Sequence, residues 1–263
     1  HLMFSVASAY LIMKHSPFTL IQKMLLVFSY FILFEYSLIA RNYSIGVFLI
    51  FAFCALFERR KSSLLLMVSI LILLAHTSIY GLIISICSFS TLVLDRIRDQ
   101  NNSQFQAKNF LVKSNILPLA IYLLGVITAI LQIIPPDDAT FFSPWIFYLD
   151  FNQGARLAQA IINAYLPFLS MDINFWDRSI LTENVFLALL TLPIIAIIFF
   201  VFIKYFSSNT NSLFFFIFST GGILLFMYVK YAGAFRHHGF LFIVLVSALW
   251  IFLSKDKNDI TPD

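Results

Sequence analysis

The apolar run at residues 63–94, SLLLMVSILILLAHTSIYGLIISICSFSTLVL, decides how this chain folds. The run is too long for one ordinary membrane crossing, which takes about 20 residues. Near its middle, residues 75–81 read AHTSIYG, a polar break that contains a glycine. This pattern predicts two short spans joined by a tight turn at residues 75–81.

The charges on either side of this run support the split. The basic cluster ERRK precedes it at residues 58–61, and the polar, basic segment 95–115 follows it. Two spans between these segments place both on one side, which an excess of Lys and Arg marks as cytoplasmic. With the C-terminal tail, Lys14, Lys23 and Lys204 on that side too, only five of the 17 basic residues lie outside: Arg41, Arg156, Arg178, Lys230 and Arg236.

The composition excludes a water-soluble domain. Hydrophobic residues make up 60% of the chain and charged residues only 11%, against about 25% charge in soluble domains. We therefore predict an all-α fold, a polytopic transmembrane helix bundle that forms a single transmembrane domain over residues 1–263. About nine spans are predicted: residues 2–13, 20–40, 43–57, the two halves of 63–94, 116–134, 186–203, 213–229 and 239–254.

A large non-cytoplasmic loop is predicted at residues 135–185. Within it, ARLAQAIINAYLPFL at residues 155–169 has apolar residues at helical spacing, and aromatic residues flank it. This pattern is typical of an interfacial helix on the outer leaflet. A loop helix packed on the bundle is the alternative interpretation.

Several polar residues are predicted to converge on the outer face. They come from FEYSLIARNYSIG at residues 34–46, from the turn at His76 and from KYAGAFRHHG at residues 230–239. The charge rule does not place basic residues there, so Arg41 and Arg236 suit an anionic ligand such as a phosphate.

Simpler interpretations of the same residues stay open. Glu35 and Arg41 can pair with each other at a helix end, and His76 can be structural. The consecutive histidines after Arg236 point in different directions and have no carboxylate nearby in sequence, so no metal site is predicted. The net charge of +4 comes from basic residues between spans, so no nucleic-acid partner is predicted either.

Four segments resemble the membrane core of GT-C type glycosyltransferases, the group that includes protein mannosyltransferases and aminoarabinose transferases. They are FEYSLIARNYSIGVFLIF at 34–51, ERRK at 58–61, LILLAHTSIYGLIISI at 71–86 and GAFRHHGFLFIVLVSALWI at 233–251. In that superfamily an aromatic-rich span often runs into an Arg-x-Tyr element on the outer side, which here is ARNY at residues 40–43.

The resemblance implies a membrane glycosyltransferase, or an N-terminally truncated part of one. Its partners would be membrane lipids and a polyprenyl-phosphate-linked sugar donor, used at the outer face of a bacterial inner membrane without a cofactor. Arg41 and Arg236 would bind the donor phosphate. Five further residues would line the site: Glu35, Tyr43, His76, Lys230 and His237.

The family also implies an essential acidic residue in the first outer loop. This chain begins at His1, in what matches a later span, so the catalytic acid or base is expected upstream of residue 1 and no catalytic residue is assigned. A multi-span transporter and a non-catalytic membrane protein are the alternatives. A transporter should carry polar residues near the membrane midplane, whereas these charges cluster at one face.

The predicted topology can be tested with single cysteines at Ser103 and Ser143, introduced after Cys54 and Cys87 have been removed. Because residue 143 is predicted outside and residue 103 inside, an impermeant thiol reagent on intact cells should label only the cysteine at position 143. Labelling at position 103 but not at 143 would overturn the topology.

Overall fold

The computed structural model describes residues 2–39, 43–101, 113–135, 144–169 and 179–254. The chain divides into two compact units. The first consists of His1–Pro136 with Ser247–Asp263, and the second is Asp137–Val246. The prediction of a single transmembrane domain over residues 1–263 stays a prediction.

Helices account for almost all the regular structure in the first unit. They are α1 (Leu2–His15), α2 (Leu20–Val27), a π-helix (Tyr30–Ile39), α3 (Tyr43–Leu56), a 3₁₀ turn (Phe57–Arg59), α4 (Leu64–Ala75), α5 (Ile79–Asn101) and α6 (Lys113–Ile133). Helix α3 packs against α1 and α4, and α4 packs against α5 and α6.

The second unit contains α7 (Phe151–Tyr165), the short α8 (Ile180–Glu183), α9 (Val185–Phe206) and α10 (Thr210–Val229). It also contains the first part of α11 (Phe235–Leu253), because the division between the units falls within this helix. Among the described residues the extended pairing is limited to an isolated bridge between Leu169 and Ser179.

Among the described residues, six helices are long and apolar enough to cross a membrane, which indicates an integral membrane protein. They are Leu20–Ile39, Ile79–Arg98, Ile116–Ile133, Phe186–Phe206, Thr210–Val229 and Phe235–Leu253. The other three predicted spans coincide with α1, α3 and α4, which have 14, 14 and 12 residues. Such helices are only about 18–21 Å long, shorter than the ~30 Å hydrocarbon core. The predicted count of nine spans is therefore not confirmed.

The predicted break within residues 63–94 is confirmed, since α4 and α5 are separate helices joined at residues 76–78. The turn is held by side chains: the Thr77 hydroxyl donates to the Leu74 carbonyl at 2.8 Å, and the Ser78 hydroxyl accepts from the Gly81 amide at 3.1 Å. A β-carbon on Gly81 would lie 2.4 Å from the Leu74 carbonyl oxygen. Only glycine therefore permits this close approach of the two helices.

Polar contacts hold the α4, α5 and α6 group together inside its apolar core. The buried Ser85 hydroxyl of α5 donates to the Leu71 carbonyl of α4 at 2.7 Å. The same hydroxyl lies 3.1 Å from the Tyr122 hydroxyl of α6, whose ring stacks on Phe89 with centroids 3.9 Å apart. These contacts satisfy groups that hydrocarbon would otherwise leave unpaired.

An ion pair joins the two charged segments that flank the α4–α5 hairpin. The Arg60 guanidinium contacts both carboxylate oxygens of Asp95, with Nε 2.5 Å from Oδ2 and Nη2 3.2 Å from Oδ1. Both side chains are mostly shielded from solvent. The structure thus confirms that the 58–61 cluster and the start of the 95–115 segment lie at the same end of the hairpin.

Replacing Gly81 by alanine should destabilise the protein by about 1–3 kcal/mol, because the new methyl group meets a backbone carbonyl that cannot move freely. Thermal unfolding in detergent would measure this effect. The matched control is Gly221→Ala in α10, where no neighbouring atom lies within 4 Å. There the change should stabilise the helix by about 0.5–1 kcal/mol. Equal stability effects at the two positions would contradict the close approach at Gly81.

Candidate functional site

A polar cavity of about 420 Å³ lies in the second unit. Its walls come from α7, from α8, from the segment between α10 and α11 and from the start of α11. The lining residues are Arg156, Gln159, Asn163, Thr182, Tyr231, Ala232, Gly233, Ala234, Phe235 and His238. These residues all belong to the 135–185 and 230–239 segments that the sequence predicts on the outer face, so the structure brings these two segments together.

Helix α7 is held in place by contacts at its N-terminus. The Asp150 carboxylate caps the helix by accepting from the Asn152 amide at 2.7 Å. The Asp150 amide donates to the Tyr228 hydroxyl at 2.8 Å, and that hydroxyl donates to the Tyr148 carbonyl at 3.1 Å. The segment that leads into α7 is therefore fixed to the end of α10.

Helix α7 packs against α9 and α10, and Ala160, Ile162 and Ala164 are buried on it. At its C-terminal end the Tyr165 hydroxyl donates to the Leu241 carbonyl at 3.4 Å. Burial raises the pKa of Tyr165 well above its ordinary value, so this hydroxyl keeps its proton. The interpretation of this segment as a packed helix agrees with these contacts; its predicted position at the membrane interface stays a prediction.

Three polar residues on one face of α7 line the cavity. Arg156, Gln159 and Asn163 follow one another at intervals of three and four residues, so they share one face of the helix. Arg156 and Gln159 are exposed, whereas Asn163 is only 6% exposed. The guanidinium thus lies at the rim of the cavity and the Asn163 amide at its base.

The opposite wall is formed by the start of α11. The sequence predicts that the last span begins at about residue 239, but the helix begins at Phe235, one turn earlier. The physical reason is a cap, since the His237 ring nitrogen Nδ1 accepts a hydrogen bond from the Ala234 amide at 2.9 Å. Gly233 has a φ of 87°, and a β-carbon there would lie 2.9 Å from the His237 β-carbon. The wall therefore depends on glycine at position 233.

His238 joins the two walls at the base of the cavity. Its Nε2 atom lies 3.0 Å from the Ala232 carbonyl oxygen, and its Nδ1 atom lies 3.4 Å from the Asn163 amide nitrogen. Because a carbonyl can only accept, Nε2 carries the ring proton and Nδ1 is the acceptor. His238 thus accepts from Asn163 and donates to Ala232.

The other predicted residues of this unit lie beside the cavity. Lys230 places its ammonium group 4.7 Å from the centre of the Trp145 ring, a cation–π contact. His237 caps α11, as described above, and packs edge-on against the Tyr231 ring. Arg236 lies between two residues of the cavity wall, Phe235 and His238, and is half-buried. Their predicted contact with a donor stays a prediction.

The remaining predicted residues belong to the first unit. Glu35 is only 4% exposed and accepts a hydrogen bond from the Tyr30 hydroxyl at 2.8 Å. Tyr43 is the first residue of α3. Tyr43 and Glu35 both interact electrostatically with the buried Tyr36. Arg41 lies outside the described residues, so its predicted pairing with Glu35 and its predicted phosphate contact stay predictions.

His76 has a structural place in the first unit. Its Nδ1 atom lies 2.9 Å from the Ile72 carbonyl oxygen, one turn back in α4. Its Nε2 atom lies 3.3 Å from the Thr128 hydroxyl of α6. The ring thus joins the end of α4 to α6, as the simpler interpretation of this residue expects.

Six polar lining residues were not predicted to belong to the site: Arg156, Gln159, Asn163, Thr182, Tyr231 and His238. The sequence does contain a pattern that marks the three residues on α7. They are polar residues at positions i, i+3 and i+7, on the face of the helix opposite its apolar residues. Thr182, Tyr231 and His238 carry no such pattern. Among the described residues no group of three His, Cys, Asp or Glu side chains could hold a metal ion.

Comparison of the chain with protein-family models, with curated proteins and with solved structures found no match.

Gly233→Ala should destabilise the protein, because a left-handed backbone costs about 1–2 kcal/mol for a residue with a β-carbon and the methyl group would also press on His237. Thermal unfolding in detergent would measure the loss. Gly154→Ala on α7 is the control, since nothing lies within 4 Å of its β-carbon position. A Gly233→Ala protein as stable as the control would show that the wall does not need glycine.

Proposed function

We propose that the protein is a membrane glycosyltransferase, or a part of one, that binds a polyprenyl-phosphate-linked sugar donor in the cavity of the second unit. The proposal rests on one observation, a polar cavity in a helical membrane protein with a single charged group among its described lining residues. That group is Arg156, at the rim. The resemblance to GT-C enzymes supports the same function.

The charges of the cavity suit a phosphate. A guanidinium forms two parallel hydrogen bonds to phosphate oxygens, and no carboxylate is among the described lining residues to compete for it. Lys230 and Arg236 lie in the same chain segment as one wall and add positive charge to this part of the protein. An anionic headgroup would therefore be attracted to the rim.

The helices around the cavity suit a lipid carrier. Helix α7 packs against α9 and α10, and both of these include candidate membrane spans. A prenyl chain could stay in the hydrocarbon beside these helices while its phosphate reaches Arg156. In the proposed topology of about nine spans, this opening faces away from the cytoplasm of a bacterial inner membrane.

The reaction would transfer the sugar from the lipid phosphate to an acceptor. Arg156 would neutralise the phosphate while it is bound and as it leaves. The neutral polar residues Gln159, Asn163 and Thr182 would hold the sugar. The acid or base of the reaction is not assigned to a described residue.

Arg156→Ala should weaken binding of a polyprenyl-phosphate sugar by about ten- to a hundredfold, because a hydrogen-bonded contact to a charged group contributes roughly 1.5–3 kcal/mol. The assay is equilibrium binding to the purified protein in detergent. Arg156→Lys should restore only part of the affinity, since it keeps the charge and loses the two-pronged geometry.

The matched control is Lys204→Ala, which removes an exposed cation of the same unit that does not line the cavity. This variant should bind like the unchanged protein, and thermal unfolding should show that both variants are folded. If a folded Arg156→Ala protein bound the donor with unchanged affinity, the cavity would not be the donor site.

A further inference from the structure

The base of the cavity contains a buried acceptor that has no partner among the described residues. Asn163 is 94% buried, and its oxygen Oδ1 makes no hydrogen bond to any described residue. Its nitrogen Nδ2 lies 3.4 Å from Nδ1 of His238. Buried polar side-chain atoms are nearly always paired, so an unpaired oxygen on a residue that lines a cavity indicates a missing donor.

The hydrogen bonds around Asn163 fix which of its atoms lacks a partner. His238 must donate from Nε2, because Nε2 faces the carbonyl oxygen of Ala232. Its Nδ1 atom therefore has a free lone pair and requires a donor, which is the Asn163 amide nitrogen. Turning the amide over would set Oδ1 against that lone pair. The contact with His238 thus leaves the oxygen of Asn163 for a ligand.

The distance from the rim gives the size of the ligand. Arg156 and Asn163 are seven residues apart on α7, which separates their α-carbons by about 10 Å along the helix. Gln159 lies between them on the same face, and Thr182 lines the cavity as well. One sugar ring is about large enough to span this separation. A ligand whose phosphate is held at Arg156 would therefore place a polar group of its sugar ring at Asn163.

The charges of the lining favour a neutral sugar over an amino sugar. The described lining residues include one cation and no carboxylate. An ammonium group at the base would be buried without a counter-charge, which is strongly unfavourable. A hydroxyl group donates one hydrogen bond and carries no charge, so it meets the need of the Asn163 oxygen.

We infer that Asn163 is a specificity-determining residue, which accepts a hydrogen bond from a hydroxyl group of a neutral sugar whose phosphate is held at Arg156. This inference rests on the proposed function and adds the class of sugar. Asn163 acts by binding and takes no part in bond breaking. His238 positions it by accepting from its amide nitrogen.

The test uses three short prenyl phosphates: one without a sugar, one with a neutral hexose and one with an amino sugar. Their dissociation constants are measured on the whole purified chain in detergent. The hexose should bind more tightly than the bare phosphate. Asn163→Leu should reduce this gain by about tenfold, the scale of one hydrogen bond, and should leave binding of the bare prenyl phosphate unchanged.

Two further variants make the result specific. Asn152→Leu changes an exposed asparagine on the same helix that does not line the cavity, so it should alter none of the three constants. Asn163→Ala removes the acceptor oxygen with a smaller side chain, so it should also reduce the gain from the hexose by about tenfold, and it should not raise the affinity for the amino sugar. This second variant decides the question if Asn163→Leu does not fold.

The outcomes separate the two proposals. If the bare prenyl phosphate does not bind in an Arg156-dependent manner, the proposed function fails, and the inference fails with it. If it does bind, but the gain from the hexose is the same in the unchanged and Asn163→Leu proteins, the inference alone is overturned. An Asn163→Ala protein that keeps the full gain from the hexose would overturn it as well.

Discussion

The fold depends on one requirement. In an apolar environment, every backbone amide and carbonyl needs a hydrogen-bond partner within the protein. Helices meet this need along their length, but each helix end leaves unpaired groups. In this chain, side chains next to the breaks supply the missing partners. Thr77 and Ser78 do so between α4 and α5, Asp150 at α7 and His237 at α11. The apolar helices can end and reverse because these polar side chains are present.

The same requirement explains why the polar cavity lies where helices end. Its walls are the face of α7 and the capped start of α11, not the middle of a long span. The cap brings His238 into the first turn of α11, where it can meet Asn163. Glycine at position 233 makes room for this arrangement. A local capping interaction therefore sets the geometry of the candidate site.

The first unit shows a different use of a polar group inside an apolar helix. Glu35 lies on a ten-residue π-helix and pairs with Tyr30, five residues earlier. Residues five apart come onto one face in a π-helix, because its hydrogen bonds join residues i and i+5. An ordinary α-helix would separate these two side chains. The π-helix thus allows the buried carboxyl group of Glu35 to accept a hydrogen bond from Tyr30 of the same helix.

The sequence alone determined the membrane class, the helical architecture, the break at residues 75–81 and the position of the 58–61 cluster beside the start of the 95–115 segment. These follow from composition, apolar length and charge, which act along the chain. It did not place the start of α11 at Phe235, because the His237 cap is a side-chain contact that an apolar run does not mark. The cavity needed tertiary structure, since Asn163 and His238 are 75 residues apart and only folding brings their side chains together.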